Sequence, residues 1–230
     1  LDYYKAYRAM VRAKVALFNL GPDTSAQERE QILARYQSYI ALAESYTGIP
    51  TRFGVLTHGV SGSGKSSIGA ELVARFGMIR IRSDVERKRL FRQASTSGEQ
   101  TTLYGAQMSE QTYARLAQLA GQVLAAGYPV IIDATHLRRH QRQLSRQAIE
   151  DQGVPCIILH CTAPLDTIEI WLNERQRKGA DPSDADIHVV HQQLQQLEPL
   201  SEEERQITLT VATDRPDSID QLTERLRHQL

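Results

Sequence analysis

The chain has 230 residues, which is enough for one ordinary domain and an appendage but leaves little room for two full domains. Its 27 Lys and Arg residues balance its 27 Asp and Glu residues, which excludes a global basic field that would recruit nucleic acid or an anionic membrane. Because the sequence has neither a long apolar run nor a signal-peptide pattern, we expect a soluble, cytoplasmic protein with no membrane partner.

Residues 1–50 predict a helical hairpin. Apolar and aromatic side chains of residues 1–20 recur on one helical stripe, which comprises Tyr3, Tyr7, Met10, Val11, Val15 and Phe18. After a glycine and a proline, Ser25 followed by Glu28 is the capping-box pattern that starts a second helix reaching about Tyr46. Aromatic stripes with this spacing usually face a core, so we expect the tyrosines to be packing residues.

The segment Gly48-Ile49-Pro50 is the predicted boundary between this hairpin and a second domain, residues 51–230. The chain begins with Leu1 rather than Met, which favours a piece of a longer protein. A second interpretation of the hairpin is therefore open, in which exposed Tyr3 and Tyr7 dock it on an upstream domain and the fragment acts as a scaffold.

A complete phosphate-binding loop of the pattern G-x-x-x-x-G-K-[ST] follows the boundary. It lies between a predicted strand, residues 53–57, and a helical pattern, residues 66–76. The glycines let backbone N–H groups converge on phosphates, Lys65 can reach the terminal phosphates, and the Ser66 hydroxyl can bind Mg²⁺. We predict a nucleoside triphosphate site, the alternative being a plain glycine turn. The predicted nucleotide-binding residues are Gly59, Val60, Ser61, Gly62, Ser63, Gly64, Lys65, Ser66 and Ser67.

Strand-like and helix-like runs alternate from Phe53 onward, which predicts an α/β fold with a mostly parallel sheet between two layers of helices. The predicted strands are residues 53–57, 78–82, 129–132, 155–160 and 207–212, and further helices are predicted near residues 85–92, 111–126, 138–152, 165–177, 183–197 and 218–230. The polar stretch from Gln93 to Gln107 lacks periodicity, so we expect a long loop there that could cover a substrate.

The two cysteines, Cys156 and Cys161, fall on one predicted strand. An odd number of positions separates them, so their side chains point to opposite faces of the sheet and lie too far apart to bridge. We therefore expect neither a disulfide nor a cysteine metal site.

The second predicted strand ends in Ser83 and Asp84, and ligands of open parallel sheets bind at the carboxyl ends of the strands. Asp84 is therefore a candidate to accept the proton of an attacking hydroxyl, with Arg87 one helical turn later holding a phosphate. The alternative is that Asp84 only caps a helix that begins at Val85.

Basic residues cluster around the same strand and could bind a phosphorylated or polyanionic substrate. The cluster comprises Arg80, Arg82, Arg87, Lys88, Arg89 and Arg92. Arg80 and Arg82 share a strand face, so for these two the alternative is that they line an exposed sheet edge.

The third predicted strand leads directly to Asp133, which is placed like a Walker-B acid that holds Mg²⁺ directly or through water. Ser66 and Asp133 are thus the predicted metal ligands. Thr135 and His136 follow and would border the same crevice. A histidine here is more often a hydrogen-bonded polar residue than a general base, so we assign His136 no catalytic role.

A basic helix end, residues 174–178, is followed by Gly179 and then by Asp181-Pro182-Ser183-Asp184, whose N-cap and proline signals start a new helix. Such an arrangement is typical of a lid. Its closure would bring Arg175 or Arg177 onto a transferring phosphoryl group, where negative charge develops. The alternative is a solvated basic face.

Together these segments resemble the AAA-type P-loop kinase group that includes polynucleotide 5′-hydroxyl kinases, zeta toxins and gluconate-type kinases. The resemblance rests on residues 59–67, 83–87, 130–136 and 175–186 and covers roughly residues 53–215. It implies a three-layer P-loop fold with strand order 2-3-1-4-5, ATP and Mg²⁺ as cofactors, and phosphoryl transfer. It also implies that Asp84 is the general base, that Arg87 contacts phosphate, and that Arg175, slightly favoured over Arg177, is the lid arginine.

Residues 1–20 resemble the last helix of an aminoglycoside-phosphotransferase-like domain, which precedes such kinase modules in bacterial bifunctional proteins. The catalytic His-x-Asp loop and the metal-binding acids of that domain do not occur in these 230 residues. The resemblance therefore implies a remnant of the domain and no antibiotic-phosphorylating activity for this segment.

The expected function is ATP- and Mg²⁺-dependent transfer of a γ-phosphate to a hydroxyl. The pair Asp84 and Arg87 and the local basic cluster favour a nucleic-acid 5′ end as acceptor, whereas the neutral net charge favours a small sugar, nucleoside or antibiotic-like molecule. The alternative function is an ATP-hydrolysing regulatory module without a phosphoryl acceptor.

Overall fold

A computed structural model describes residues 2–46, 52–96, 102–178 and 185–230 of the chain. The chain divides into two compact units, Leu1–Ile49 and Pro50–Leu230. Within the described ranges, every helix is too short or too polar to cross a lipid bilayer.

Two helices, α1 (Asp2–Leu17) and α2 (Ala26–Ser45), form the first unit. The predicted capping box at the start of α2 is confirmed, because the Glu28 N–H donates to Ser25 Oγ at 3.3 Å and the Ser25 N–H donates to Glu28 Oε2 at 3.1 Å. The buried side chains of α1 are all alanines at helical spacing, namely Ala6, Ala9, Ala13 and Ala16.

The aromatic stripe of α1 is exposed, and the expectation that its tyrosines pack into a core is wrong. Tyr3 is 86% exposed and Phe18 is 70% exposed, and the rest of the stripe also faces solvent. The alanine stripe lies against α2 instead, since small side chains let two helix backbones approach closely where tyrosines would hold them apart.

The second unit is built on a five-stranded parallel sheet. Its strands are β1 (Gly54–His58), β2 (Ile79–Arg82), β3 (Val130–Asp133), β4 (Cys156–Thr162) and β5 (Thr208–Ala212), in the order β2-β3-β1-β4-β5. This confirms the implied P-loop strand order. The three central strands are almost continuously buried, as expected for a parallel sheet covered on both faces.

The helices of the second unit are α3 (Lys65–Phe76), α4 (Ser83–Thr96), α5 (Ala106–Ala125), α6 (Arg139–Glu150), α7 (Leu165–Lys178), α8 (Ile187–Gln196), α9 (Glu202–Gln206) and α10 (Ser218–Gln229). The short helix α9 was not predicted. The predicted loop at residues 93–107 is shorter than expected, because its two ends continue α4 and begin α5.

The helix predicted from Ser183 begins later, after Asp186. The Asp186 carboxylate accepts a hydrogen bond from the Val189 N–H at 2.9 Å and so caps α8. The segment Asp181-Pro182-Ser183-Asp184 and residues 97–101 of the predicted loop lie outside the described residues.

Among the described residues, three apolar clusters form the core: one on each face of the sheet, and a smaller one that includes Leu172 of α7 and Val190 of α8. Of the two clusters on the sheet, one includes Leu72 of α3, Leu226 of α10 and Cys161, and the other includes Leu116 of α5, Ile149 of α6 and Cys156. The opposite orientation predicted for the two cysteines is therefore confirmed. Both thiols are free and buried, and burial raises the pKa of each to about 12.

Candidate active site

The phosphate-binding loop connects the end of β1 to the start of α3 in a conformation that requires glycine. Gly59 has a φ of 136°, and a Cβ there would lie 2.5 Å from the Cys161 carbonyl oxygen of β4. Gly64 has a φ of 78°, and a Cβ there would lie 2.7 Å from Thr213 Cβ, just after β5. The loop thus lies against the carboxyl ends of its neighbouring strands, where only glycine fits.

Lys65 is buried at the start of α3, and its ammonium group is held by the loop itself. Nζ donates to the Val60 carbonyl oxygen and, at 3.4 Å, to Ser63 Oγ. Burial lowers the pKa of Lys65, and a second nearby cation, Arg175, lowers it further. The carboxylates of Asp133 and Asp84 raise this pKa, so both acids lie close enough to Lys65 to act on its charge.

Asp133 ends β3 next to the first turn of α3. The Ser66 hydroxyl donates to Asp133 Oδ2 at 3.0 Å, so the two predicted metal ligands are neighbours. The same oxygen also accepts hydrogen bonds from Arg80 Nε, at 3.0 Å, and from Arg80 Nη2. Arg82 Nε lies 3.8 Å from it, opposite in the register between β2 and β3.

The positions of Arg80 and Arg82 match neither interpretation made from the sequence in full. They do lie on an edge strand, since β2 is outermost in the sheet, but their side chains are only 18% and 23% exposed and pair with Asp133, so they do not stand free for a polyanion. Strand alternation places the two arginines on one face, but only the pairing of β2 with β3 shows which acid they meet.

The oxygen atoms of Ser66 and Asp133 fit a magnesium ion that arrives with a nucleotide. Among the described residues, no group of three or more His, Cys, Asp or Glu side chains could hold a metal alone. Mg²⁺ in nucleotide sites takes one or two protein oxygens and completes its shell with phosphates and water, so a hydroxyl beside a carboxylate suffices.

Asp84 lies in the first turn of α4, which begins at Ser83 and not at Val85. Asp84 therefore stands inside the helix rather than capping it in the way considered from the sequence. Its charge acts on the buried phenol of Tyr113 as well as on Lys65. The carboxylate is thus near enough to both the phosphate loop and Tyr113 of α5 to influence their charges.

Arg87 follows one turn later, partly buried at the same end of the sheet. Its guanidinium carbon lies 5.4 Å from the centre of the Tyr104 ring, a stacking distance for a cation over an aromatic face. Its Nε atom is buried and makes no hydrogen bond with any described residue. A buried donor in this state gains from any ligand that offers an acceptor.

Of the two lid candidates, Arg175 is the closer to the phosphate loop. Arg175 is partly buried, its Nη2 donates to the Ala185 carbonyl oxygen at 2.7 Å, and its charge acts on Lys65. Arg177 is exposed on α7. The segment between α7 and residue 185 lies outside the described residues.

His136 is fully buried and serves the loop after β3 rather than a reaction. Its Nδ1 donates to the Thr57 carbonyl oxygen at 2.7 Å, and its Nε2 accepts from Ser145 Oγ at 2.9 Å. Burial lowers its pKa to about 3, so the ring is neutral at physiological pH. Thr135 does border the crevice, as expected.

A cavity of about 420 Å³ opens beside these residues, between α4, α5, α6 and α8. Its wall includes Arg87, Tyr104, Tyr113, Thr135, Arg138 and Gln193. Gln193 also reaches the phosphate loop, because the Ser61 N–H donates to its Oε1 at 2.7 Å and its Nε2 donates to Ser61 Oγ at 3.0 Å. No sequence signal pointed to Gln193, since 132 positions separate the two residues.

Residues 55–200, well over half of the chain, match the model of the AAA_33 family, which is described as an AAA domain. The chain belongs to this AAA domain family. An uncharacterized protein of Mycobacterium tuberculosis is 26% identical to the chain over 171 residues, which are 73% of this chain and 33% of that protein. The chain therefore spans about a third of the length of the curated relatives that it matches.

Solved structures with the same fold as this AAA domain include several kinases. A sugar kinase from Janibacter sp. is 24% identical, with a TM-score of 0.55, and the match covers 78% of this chain and 94% of the kinase. The Mycobacterium tuberculosis APS kinase, solved with AMPPNP and APS, is 21% identical, with a TM-score of 0.53 and coverage of 78% and 97%. The AAA domain thus has a P-loop kinase-like fold.

Proposed function

We propose that this AAA domain transfers the γ-phosphoryl group of ATP to a hydroxyl group of a second substrate. The observation that carries the proposal is the position of Asp84, whose charge acts on both Lys65 and Tyr113. Lys65 belongs to the phosphate loop, and Arg87, one helical turn after Asp84, lines the cavity together with Tyr113, so the carboxylate adjoins this space. Transfer to a second substrate requires a space for that acceptor next to the base, whereas hydrolysis of ATP by water requires no such space.

The loop would bind the phosphates through its backbone N–H groups and Lys65. The Lys65 ammonium would exchange its present partners, the Val60 carbonyl and the Ser63 hydroxyl, for phosphate oxygens. Ser66 and Asp133 would hold Mg²⁺, which when bound offsets the negative charge of the phosphates. The AMPPNP in the APS kinase of similar fold supports ATP as the donor.

Transfer would then proceed by direct displacement at the γ-phosphorus. Asp84 accepts the proton of the acceptor hydroxyl as its oxygen bonds to phosphorus, and the bond to the bridging oxygen breaks to release ADP. Arg175, which lies near Lys65, neutralises the charge that builds up on the transferred group. Arg177 is the weaker candidate for this role because its side chain is exposed.

The test is transfer of label from γ-labelled ATP to a panel of 5′-hydroxyl oligonucleotides, nucleosides, sugars and aminoglycosides. Asp84→Asn keeps the shape of the site but removes the base, so we expect ATP affinity within about twofold of wild type and transfer reduced by about 100-fold or more. Asp151→Asn, at the exposed C-terminal end of α6, removes the same charge outside the site and is the control.

Equal transfer by wild type and Asp84→Asn would refute the role of Asp84. Release of free phosphate that is indifferent to every acceptor and to this substitution would refute transfer and favour an ATP-hydrolysing regulatory module. Resemblance to polynucleotide kinases in particular remains a prediction until an acceptor is found.

A further inference from the structure

The cavity beside Asp84 has a lining that discriminates between classes of acceptor. Its volume of about 420 Å³ is in the range of sites for small molecules, and its walls come from four helices of the same unit. Its wall includes Arg87, which lies one helical turn after Asp84 on α4, so the cavity adjoins the turn that carries the candidate base. A second substrate bound here would meet both the base and the phosphate loop.

Two arginines contribute cationic donors to the lining of this cavity. Arg87 lines the wall, and its stacking on Tyr104 holds the guanidinium there, with Nε buried and without a hydrogen bond to any described residue. Arg138 adds a second guanidinium at the exposed rim, and Glu110, also at the rim, is the one carboxylate among the described residues of the lining. Two guanidinium groups in a cavity of this size suit one anionic group of a small ligand rather than a polyanion.

Amide side chains make up much of the rest of the lining. Gln192, Gln193 and Gln196 of α8 and Gln141 of α6 line the cavity. A carboxamide both donates and accepts hydrogen bonds, as a hydroxyl does, so a row of amides suits a ligand rich in hydroxyls. Because Gln193 also makes two hydrogen bonds with Ser61, this amide wall is joined directly to the phosphate loop.

We propose that this cavity binds the phosphoryl acceptor and that the acceptor is a small, hydroxyl-rich molecule with one anionic group, not a nucleic-acid 5′ end. The inference rests on the proposed function. The anionic group pairs with Arg87 and Arg138, the glutamine amides bind hydroxyls, and one hydroxyl faces Asp84. The balanced charge of the whole chain agrees with this class, because a long polyanion would need a wider basic surface.

Matched probes test the class directly on the full chain by calorimetry. One pair is a six-carbon sugar acid and the uncharged polyol of the same length, and a second pair is a sugar phosphate and its parent sugar. A 5′-hydroxyl oligonucleotide is tested beside the two pairs. Each is measured with and without a non-hydrolysable ATP analogue. We expect an anionic probe to bind at least about tenfold more tightly than its uncharged partner.

Three variants locate the contact that gives this preference. Arg87→Gln should reduce the preference for the anionic probe by about tenfold, and the more exposed Arg138→Gln by about fivefold. Arg139→Gln removes the same charge from the next position, which does not line the cavity, and should leave the preference unchanged. Equal losses in Arg138→Gln and Arg139→Gln would overturn the assignment of the anion to this cavity.

Label transfer in the same samples separates this inference from the proposed function. Tight binding of an anionic polyol that never receives label would uphold the cavity and overturn the kinase. Asp84-dependent transfer to the oligonucleotide would uphold the kinase and overturn the acceptor class. Failure of both anionic probes to bind, with or without the ATP analogue, would also overturn the acceptor class.

Discussion

Arg80 donates two hydrogen bonds to one oxygen of Asp133, the same oxygen that accepts from Ser66. The Asp133 side chain is only 5% exposed, so its charge is compensated mainly by the protein. An ionised carboxylate at such depth is costly unless it is paired and hydrogen-bonded. The predicted metal ligand is therefore held in place by a neighbouring strand before any ion arrives.

Removing this partner should destabilise the protein in the absence of metal and nucleotide. Arg80→Gln leaves the Asp133 carboxylate without its closest cation, and we expect the free energy of unfolding to fall by about 2 kcal/mol. Arg82→Gln is the matched control, because Arg82 lies 3.8 Å from the same oxygen and should cost clearly less. Urea titrations measure both free energies of unfolding. Equal losses would show that the hydrogen bonds of Arg80 to Asp133 stabilise the fold no more than the longer contact of Arg82.

Lys65→Met should separate stability from nucleotide binding. A buried ammonium is costly, as its lowered pKa indicates, so the methionine variant should be at least as stable as wild type. Its affinity for ATP should fall by about tenfold or more, because the charge that would meet the phosphates is gone. Fluorescent-nucleotide titration alongside thermal unfolding checks both, with the exposed Lys14→Met as control. Unchanged ATP affinity would contradict the role of Lys65.

A buried ion pair between Arg142 and Glu204 supports the loop after β3. Arg142 is fully buried, bonds both Glu204 oxygens at 2.7 and 3.0 Å, and donates to four backbone carbonyls, among them those of His136 and Leu137. Burial raises the pKa of Glu204, but its hydrogen bonds with Arg142 and Ser201 and the charge of Arg142 together lower this pKa by a larger amount, so the net shift is a decrease. The pair thus stabilises the ionised carboxylate.

Glu204→Gln should cost about 3 kcal/mol of stability, because it leaves a buried guanidinium without its counter-ion. Glutamine keeps the capping box that Glu204 makes with Ser201, so the loss reports the charge rather than the helix start. Glu202→Gln, at an exposed pair on the same helix, should change stability by less than about 0.5 kcal/mol. A small loss in Glu204→Gln would show that the four carbonyls alone satisfy Arg142.

Stability should fall as the pH falls below about 6.5, because two buried histidines resist protonation in the folded chain. Burial lowers the pKa of His136 from 6.5 to about 3, and burial together with the charge of His160 lowers that of His58 to about 4. At pH values between these folded pKa values and 6.5, the unfolded chain therefore binds more protons than the folded chain. Each histidine contributes a slope of up to about 1.4 kcal/mol per pH unit in this window.

Urea unfolding between about pH 7 and pH 5 measures this slope, above the range where most carboxylates titrate. His58→Gln should lower the number of protons taken up on unfolding by about one and so reduce the slope. His140→Gln, on the exposed start of α6, should leave the slope unchanged. A slope that is the same in His58→Gln and wild type would show that His58 does not carry the linkage.

The strands and the phosphate loop could be predicted because their signals are local. Apolar runs bounded by turns give the five strands, and the glycines from Gly59 to Gly64 are required by the backbone of the loop itself. The contacts of Arg80 and Gln193 could not be predicted, since each partner lies far away in sequence and is set by the packing of the fold.

The orientation of α1 was missed for a different reason. Two stripes with helical spacing coexist on this helix, one of aromatic and one of alanine side chains, and spacing alone does not show which stripe meets α2. Hydrophobicity favours the aromatic stripe, whereas close approach of the helix axes favours alanine. Only the identity of the facing residues, such as the buried Ala43 of α2, decides between them.

The burial of both cysteines allows a fluorescent dye to be attached at an introduced cysteine without removing the native ones. Thiols with a pKa of about 12 are almost entirely protonated at neutral pH and react slowly with maleimides. A single cysteine introduced at an exposed position, for example in place of Glu110 at the mouth of the cavity, would carry a dye without background from Cys156 or Cys161. Ligand entry could then be followed in real time on the otherwise unaltered chain.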